Sequence, residues 1–328
     1  MAQPVAVDSW SAARVRLGQV VSALAELRDR TTGSRGSPRT AVMTLVAVVP
    51  DAASALKVKA VLRNLCHEHP ARLVVVHADP DSVASLDAEA ALFSIEGRAH
   101  RITFEEVSLT VGGQAALHLD SLVEAFTLSD LPVGIWYEGC LPDPGDPLLR
   151  LSTILLVDSA EVVEAEVFRN LLGLSRRRNL VDLCWLGLRP WREALAEAAD
   201  PLPMRACVRQ PQGLEVRGRP GEARLVAGWL VAATGIGPDA LHLADSDSLE
   251  VVLTCADEAG RPGVLKAALA KGDLEVEAEA RLDGELVRRV EVAVPDEPVL
   301  VALSEALSAV RPDRVWAKAV AALSAMAS

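Results

Sequence analysis

Aromatic side chains are scarce in this chain: six Trp, four Phe and one Tyr make up 3% of 328 residues. Its core must come from aliphatic contacts, so each tryptophan is a specific choice. No GxxxxGK[ST] occurs, which excludes a P-loop phosphate cradle, and no GxSxG, which excludes a nucleophile elbow. The five cysteines, Cys66, Cys140, Cys184, Cys207 and Cys255, include no CxxC. Their odd number and scattered spacing suit reduced thiols better than a disulfide framework. Excess basic charge is also missing. The formal net charge of −12 repels phosphate backbones and anionic lipid, so no nucleic acid and no membrane is expected as a partner. The longest weakly polar run, LVAGWLVAATGIG (225–237), is too short to cross about 30 Å of hydrocarbon. A signal peptide's basic start and apolar run are lacking at the N-terminus, so a cytoplasmic location is expected.

What is present is an aliphatic globular pattern, with half of the residues apolar. Between Ser9 and Arg28 the apolar residues Trp10, Ala13, Leu17, Val20, Val21, Leu24 and Leu27 recur at helical spacing, which predicts an amphipathic helix. The polar connector DRTTGSRGSPRT (29–40) follows. From residue 41 to 200 strands and helices alternate. AVMTLVAVV (41–49) and RLVVVHAD (72–79) read as parallel strands covered on both faces. LDAEAALFSI (86–95) and RITFEEVSLTV (101–111) read as paired edge strands, and LPVGIWY (131–137), TILLVDS (153–159) and NLVDLCWLGL (179–188) as three more strands. Such alternation predicts an α/β domain: a mostly parallel open sheet with flanking helices, Rossmann-like. After DPLPM (200–204) the pattern shifts to an α+β domain with an antiparallel sheet. Its clearest signal is LEVEAEARL-DG-ELVRRVEVAV, where Asp283-Gly284 supplies a type I′ hairpin turn. The expected organisation is a helix and connector over 1–37, the α/β sheet domain over 38–202 and the α+β domain over 203–328.

The sequence contains no recognisable catalytic set, cofactor motif or metal site. CHEHP (66–70) places two histidines at i, i+2 on a helix end, where they point apart, and no second cluster completes a metal site. Asp79, Asp81, Asp87 and Glu89 resemble a divalent-ion set on paper, but turns after strands are commonly acidic. Gly112 and Gly113 open a helix and are candidates for holding one anion, beside a plain helix start. Arg176, Arg177 and Arg178 form either a solvated loop or a surface for an acidic partner or a sugar phosphate. The remaining candidates lie at strand ends, where open α/β sheets place their functional crevice. Trp136 and Tyr137 end one strand. Trp191 and Arg192 fall in the first turn of a helix after Pro190. Trp and Arg dominate protein–protein hot spots, so these four are the candidate partner-binding residues. The competing reading is that the tryptophans pin helix to sheet.

At these residues a resemblance emerges. LSDLPVGIWYEG (128–139), LLVDSA (155–160), DLCWLGLRPWREAL (182–195) and LVAGWLVA (225–232) together resemble the glucose-6-phosphate dehydrogenase assembly protein family, OpcA. HPARLVVVHAD (69–79) and PRTAVMTLVAVV (38–49) fit the same pattern. The resemblance implies a non-catalytic protein that binds glucose-6-phosphate dehydrogenase and raises its activity, feeding the oxidative pentose phosphate pathway and NADPH supply. This chain has Trp136-Tyr137 where the family often shows two tryptophans, and no two of its cysteines are close in sequence. The alternative from the residues alone is a sugar-phosphate-binding protein or α/β enzyme that uses the strand-end crevice and Arg176–Arg178.

Overall fold

The computed structural model describes residues 3–32, 41–96, 101–270, 272, 274–308 and 313–326. Most of the 29–40 connector and the Arg311-Pro312 break therefore lie outside the described residues. The chain folds as two compact units, residues 1–158 with 178–181 and 303–309, and residues 159–177 with 182–302 and 310–328.

The first unit runs through β1 (Val5–Ala12), α1 (Leu17–Thr32), β2 (Met43–Val49), α2 (Ala52–Leu65), β3 (Ala71–Asp79), β4 (Ser85–Glu96) and β5 (Arg101–Gly112). A 3-10 turn (Gly113–His118), α3 (Leu119–Glu124), β6 (Val133–Tyr137) and β7 (Ile154–Val157) follow. Next in the chain come α4 (Ala165–Ser175) and β8 (Leu180–Asp182). Eight strands form one sheet in the order β1-β4-β5-β3-β2-β6-β7-β8. Its centre is parallel: β2 pairs in parallel with β3 and β6, β3 with β5, and β6 with β7. Six of the seven residues of β2 are buried, as a strand covered on both faces requires. Arg28 of α1 bonds Glu105 and Arg63 of α2 bonds Glu106, so α1 and α2 lie on opposite faces. Asp51 starts α2 by accepting the Ser54 N–H at 2.7 Å.

Two expectations for this unit are corrected. Residues 9–28 are not one helix: Ser9–Ala12 belong to β1, which pairs antiparallel with β4, and the helix begins at Leu17. Arg14, at φ 54°, stands between strand and helix. β4 and β5 are not the edge pair, because β1 covers β4 and is itself the edge.

The second unit contains α4, then α5 (Leu183–Gly187), α6 (Arg189–Ala199), α7 (Leu202–Cys207), β9 (Pro211–Gly218) and α8 (Pro220–Thr234). β10 (Leu241–Asp245), β11 (Glu250–Ala256), β12 (Pro262–Leu269), β13 (Glu275–Leu282) and β14 (Glu285–Ala293) follow. The chain ends with α9 (Pro298–Ser308), whose second half falls in the first unit, and α10 (Arg314–Met326). The six-stranded sheet has the order β10-β9-β11-β12-β13-β14, antiparallel except for the β10–β9 pair. Burial alternates along β13, so one face is packed and the other solvated. Asp283 and Gly284 take φ of 52° and 81°, the two positive values that a type I′ turn needs. α6 packs against β12, β13 and β14, while α10 packs on α8 and α4. Where α8 meets α10, a Cβ added at Gly228 would stand 2.5 Å from the Ala319 carbonyl oxygen.

Candidate functional site

Strand β6, VGIWY, is buried along its whole length. Trp136 and Tyr137 are each 3% exposed. The pleat sends them to opposite faces. Tyr137 donates its hydroxyl to Asp146 at 2.6 Å, and burial together with that carboxylate pushes the phenol's pKa up. Burial likewise raises the carboxyl of Glu138, next in the chain, with Asp51 and Asp158 adding to the effect and Lys57 opposing it.

The corner at 182–192 is built from Asp182. The strand expected to reach residue 188 stops at Asp182, whose carboxylate accepts the Cys184 N–H at 3.1 Å and so caps α5. The same buried carboxylate accepts the Ser159 hydroxyl at 2.6 Å and the Trp316 indole N–H at 3.4 Å. Those bonds satisfy a charge that would be costly to bury alone. Trp185 therefore sits on a short helix, 2% exposed, and donates its indole N–H to Asp313 at 2.6 Å. Arg192 lies over its ring, 3.6 Å from guanidinium carbon to ring centroid, and donates to its carbonyl oxygen at 2.8 Å. Burial pulls the Arg192 pKa down to about 10. Pro190 occupies the first turn of α6, and Trp191 beside it is 6% exposed.

Direct partner contact by the four candidate residues requires exposed side chains, and three of the four lack them. Trp136, Tyr137 and Trp191 are buried, where each ring packs as part of the core. Arg192 keeps partial exposure.

Gly112 and Gly113 of the candidate anion-binding set lie against a neighbouring turn. A Cβ on Gly112 would meet the Val83 carbonyl oxygen at 2.3 Å, and one on Gly113 the Ala84 Cα at 2.8 Å. The turn at 82–84 fills the space beside both glycines, so their lack of a side chain serves close backbone packing. Arg176 and Arg177 are exposed at the C-terminal end of α4, where cations offset the helix dipole. Arg178 donates to the Ser152 hydroxyl at 3.3 Å.

Among the described residues no group of three or more His, Cys, Asp or Glu is placed to hold a metal, and no helix is long and apolar enough to cross a membrane. His69 contacts the Ser304 hydroxyl at 3.2 Å, and Glu89 pairs with Lys59 at 2.8 Å. Sequence reasoning missed the Ser159–Asp182–Trp316 cluster. Its one local signal is an Asp at a strand end before an apolar run, a helix N-cap signature. Also missed was a thiol pair: a Cβ on Gly263 would stand 2.3 Å from Cys207 Sγ and 2.9 Å from Cys255 Sγ, so cysteines distant in sequence meet in space.

The fold defines an α/β protein, Rossmann-like in its first sheet, whose second sheet is mostly antiparallel. Residues 63–173 match the family model for the glucose-6-phosphate dehydrogenase subunit N-terminal domain, and residues 178–320 that for its C-terminal domain. The chain belongs to this OpcA glucose-6-phosphate dehydrogenase assembly family. It is similar to an OxPP cycle protein OpcA of Nostoc punctiforme, 32% identical over 137 residues, covering 38% of this chain and 29% of that one. A Synechocystis protein of the same name is 22% identical over 183 residues, covering 52% of this chain and 38% of that one. The matched stretches thus span well under half the length of these curated relatives. Among solved structures, glucose-6-phosphate 1-dehydrogenase from Mycobacterium avium aligns with a TM-score of 0.45 at 11% identity, covering 87% of this chain and 90% of that one. The transcriptional regulator Gal80p of Kluyveromyces lactis aligns with a TM-score of 0.37, also at 11% identity, covering 86% and 85%.

Proposed function

We propose that this chain is a non-catalytic accessory protein that binds glucose-6-phosphate dehydrogenase and raises its activity, supporting the oxidative pentose phosphate pathway. The observation that carries the reading is family membership over 63–173 and 178–320. The state of one buried hydroxyl is consistent with it. Ser159 is 0% exposed and spends its hydroxyl on Asp182, so this serine is not offered to a substrate.

Activation without chemistry requires only that the protein bind one conformation of the enzyme better than another. A coupling of about 1–3 kcal/mol changes apparent affinity roughly 5–150-fold. Trp136, Tyr137 and Trp191 would act indirectly in this scheme, by holding the backbone around them, whereas Arg192 retains surface to offer. The deciding experiment assays the cognate dehydrogenase with and without this chain. A lower KM or higher kcat and co-elution on a sizing column are expected. Unchanged kinetics together with separate elution overturn the proposal.

A further inference from the structure

The sheet face that carries α2 is only partly covered by it. Between the N-terminal half of α2 and strands β1, β4 and β5 runs a groove of about 440 Å³, within the roughly 300–1,000 Å³ of small-ligand sites. Cross-strand register arranges its floor in two rows. In one, Ser11 stands opposite Glu89, Glu89 opposite Ser108 and Ser108 opposite Val75. In the other, Asp87 stands opposite Thr110 and Thr110 opposite His77. Adjacent strands lie about 4.8 Å apart, and alternate residues of one strand about 7 Å apart. The floor is therefore a grid of hydroxyls and acceptors on the scale of a single sugar ring. Its wall is apolar: Ala52, Ala55 and Leu56, the last 69% exposed.

Much of the hydrogen-bonding capacity here is unspent. The side-chain hydroxyls of Ser11, Ser108 and Thr110 have no hydrogen-bond partner among the described residues. Asp87 uses Oδ1 on the Arg14 N–H at 2.7 Å, and Glu89 uses Oε2 on the Lys59 ammonium at 2.8 Å. Each carboxylate thus keeps a second oxygen. His77 Nδ1 faces the Val49 carbonyl oxygen at 3.4 Å, an oxygen that can only accept, so Nδ1 is the donor there. One ammonium against two carboxylates leaves the lining net negative.

We propose that this groove binds a small, uncharged polyhydroxylated molecule of monosaccharide size. Ligand hydroxyls donate to the free oxygens of Asp87 and Glu89 and exchange bonds with Ser108 and Thr110, groups that both donate and accept. The C–H face of the ring rests on Leu56 and Ala55. Excess negative charge disfavours a phosphorylated sugar. The site is separate from the dehydrogenase reading and does not depend on it. If the two rows are merely a solvated sheet face, no saturable binding occurs.

The test titrates the full chain with glucose and with glucose 6-phosphate by calorimetry. Saturable glucose binding in the roughly millimolar range is expected, with the phosphate ester weaker. Ser108→Ala combined with Thr110→Val is expected to weaken glucose binding about tenfold. Leu56→Ser, at a position already open to solvent, is expected to weaken it without loss of folding. No saturable glucose binding, affinity unchanged in either folded variant, or a phosphate ester that binds as tightly as glucose overturns the proposal.

Discussion

Glu105 and Glu106 are consecutive residues whose carboxylates stand on opposite faces of one sheet and meet different guanidiniums. Glu105 accepts from Arg28 at 2.7 and 2.8 Å and from Arg72 at 2.7 Å, whereas Glu106 accepts from Arg63 at 2.7 and 2.6 Å. Both carboxylate side chains are only 5% exposed. The pleat alternates side chains between faces, so a pair of acids clamps a helix to each side of β5. Glu105→Ala leaves two cations facing a vacated acceptor and is expected to cost about 3–5 kcal/mol. Urea unfolding of the variant against the parent measures this directly.

The same residue sets an acid sensitivity. Burial pushes the Glu105 carboxyl up, but the bonds and charges of Arg28 and Arg72 outweigh it and hold the pKa below the usual glutamate range. The folded value lies below the unfolded one of about 4.3, so the stabilisation is fully present above that pH. It is lost as pH falls through the folded value. Urea midpoints compared at neutral and acid pH should fall less steeply for Glu105→Gln than for the parent. Parallel curves would remove Glu105 from the acid response.

Four of the five thiols, Cys66, Cys184, Cys207 and Cys255, are buried, and Cys140 is half-buried. Burial pushes the Cys66 thiol up to about 12, and Cys140 is raised by burial and by Glu138 and Asp146. A thiol held protonated is a poor nucleophile. Treating the folded chain with a thiol-specific disulfide reagent at neutral pH should label at most Cys140, and slowly, with the other four appearing only in denaturant. Mass spectrometry of the labelled peptides distinguishes them.

Two glycines of the second unit are fixed by space. A Cβ at Gly221 would sit 1.7 Å from the Ser159 carbonyl oxygen, and Gly228 has its 2.5 Å approach to Ala319. Gly228→Ala is expected to destabilise by about 1–3 kcal/mol, and Gly221→Ala by more. Gly237→Ala, where nothing lies within 4 Å, should stay within about 0.5 kcal/mol of the parent. Thermal unfolding of the three variants gives the ranking.

The Arg192–Trp185 stack provides an optical readout. Arg192→Met keeps much of the aliphatic packing but removes the cation over the ring, at an expected cost of about 0.5–2 kcal/mol. Indole emission should shift with it, since Trp185 loses a charge 3.6 Å from its centroid.

Local pattern carried most of the regular structure. The parallel strands are continuous aliphatic runs, and the alternation of β13 and β14 around Asp283-Gly284 states its own geometry. The errors have local causes too. In 9–28, Trp10 and Ala13 happen to fall at helical spacing from Leu17, which hides a strand whose real signal is pairing with distant β4. The run at 179–188 has the pattern of a strand because Leu183, Cys184 and Trp185 suit either structure. Asp182 settles it by capping. β9 begins at Pro211 and contains two glycines, and β10 has five residues, so neither offers enough period to read. The candidate site was less legible than the fold. Trp136 and Trp191 are conspicuous in a chain with few aromatics, but composition does not say which side chains face solvent. The groove was out of reach because Ser11, Asp87 and Thr110 become neighbours only through register.

That register has a consequence for biosynthesis. Val5 finds its partner in Ser94, so β1 has nothing to zip against until β4, which comes after β2, α2 and β3, has left the ribosome. β1 is thus seated on the sheet only after strands that follow it in the chain have been made.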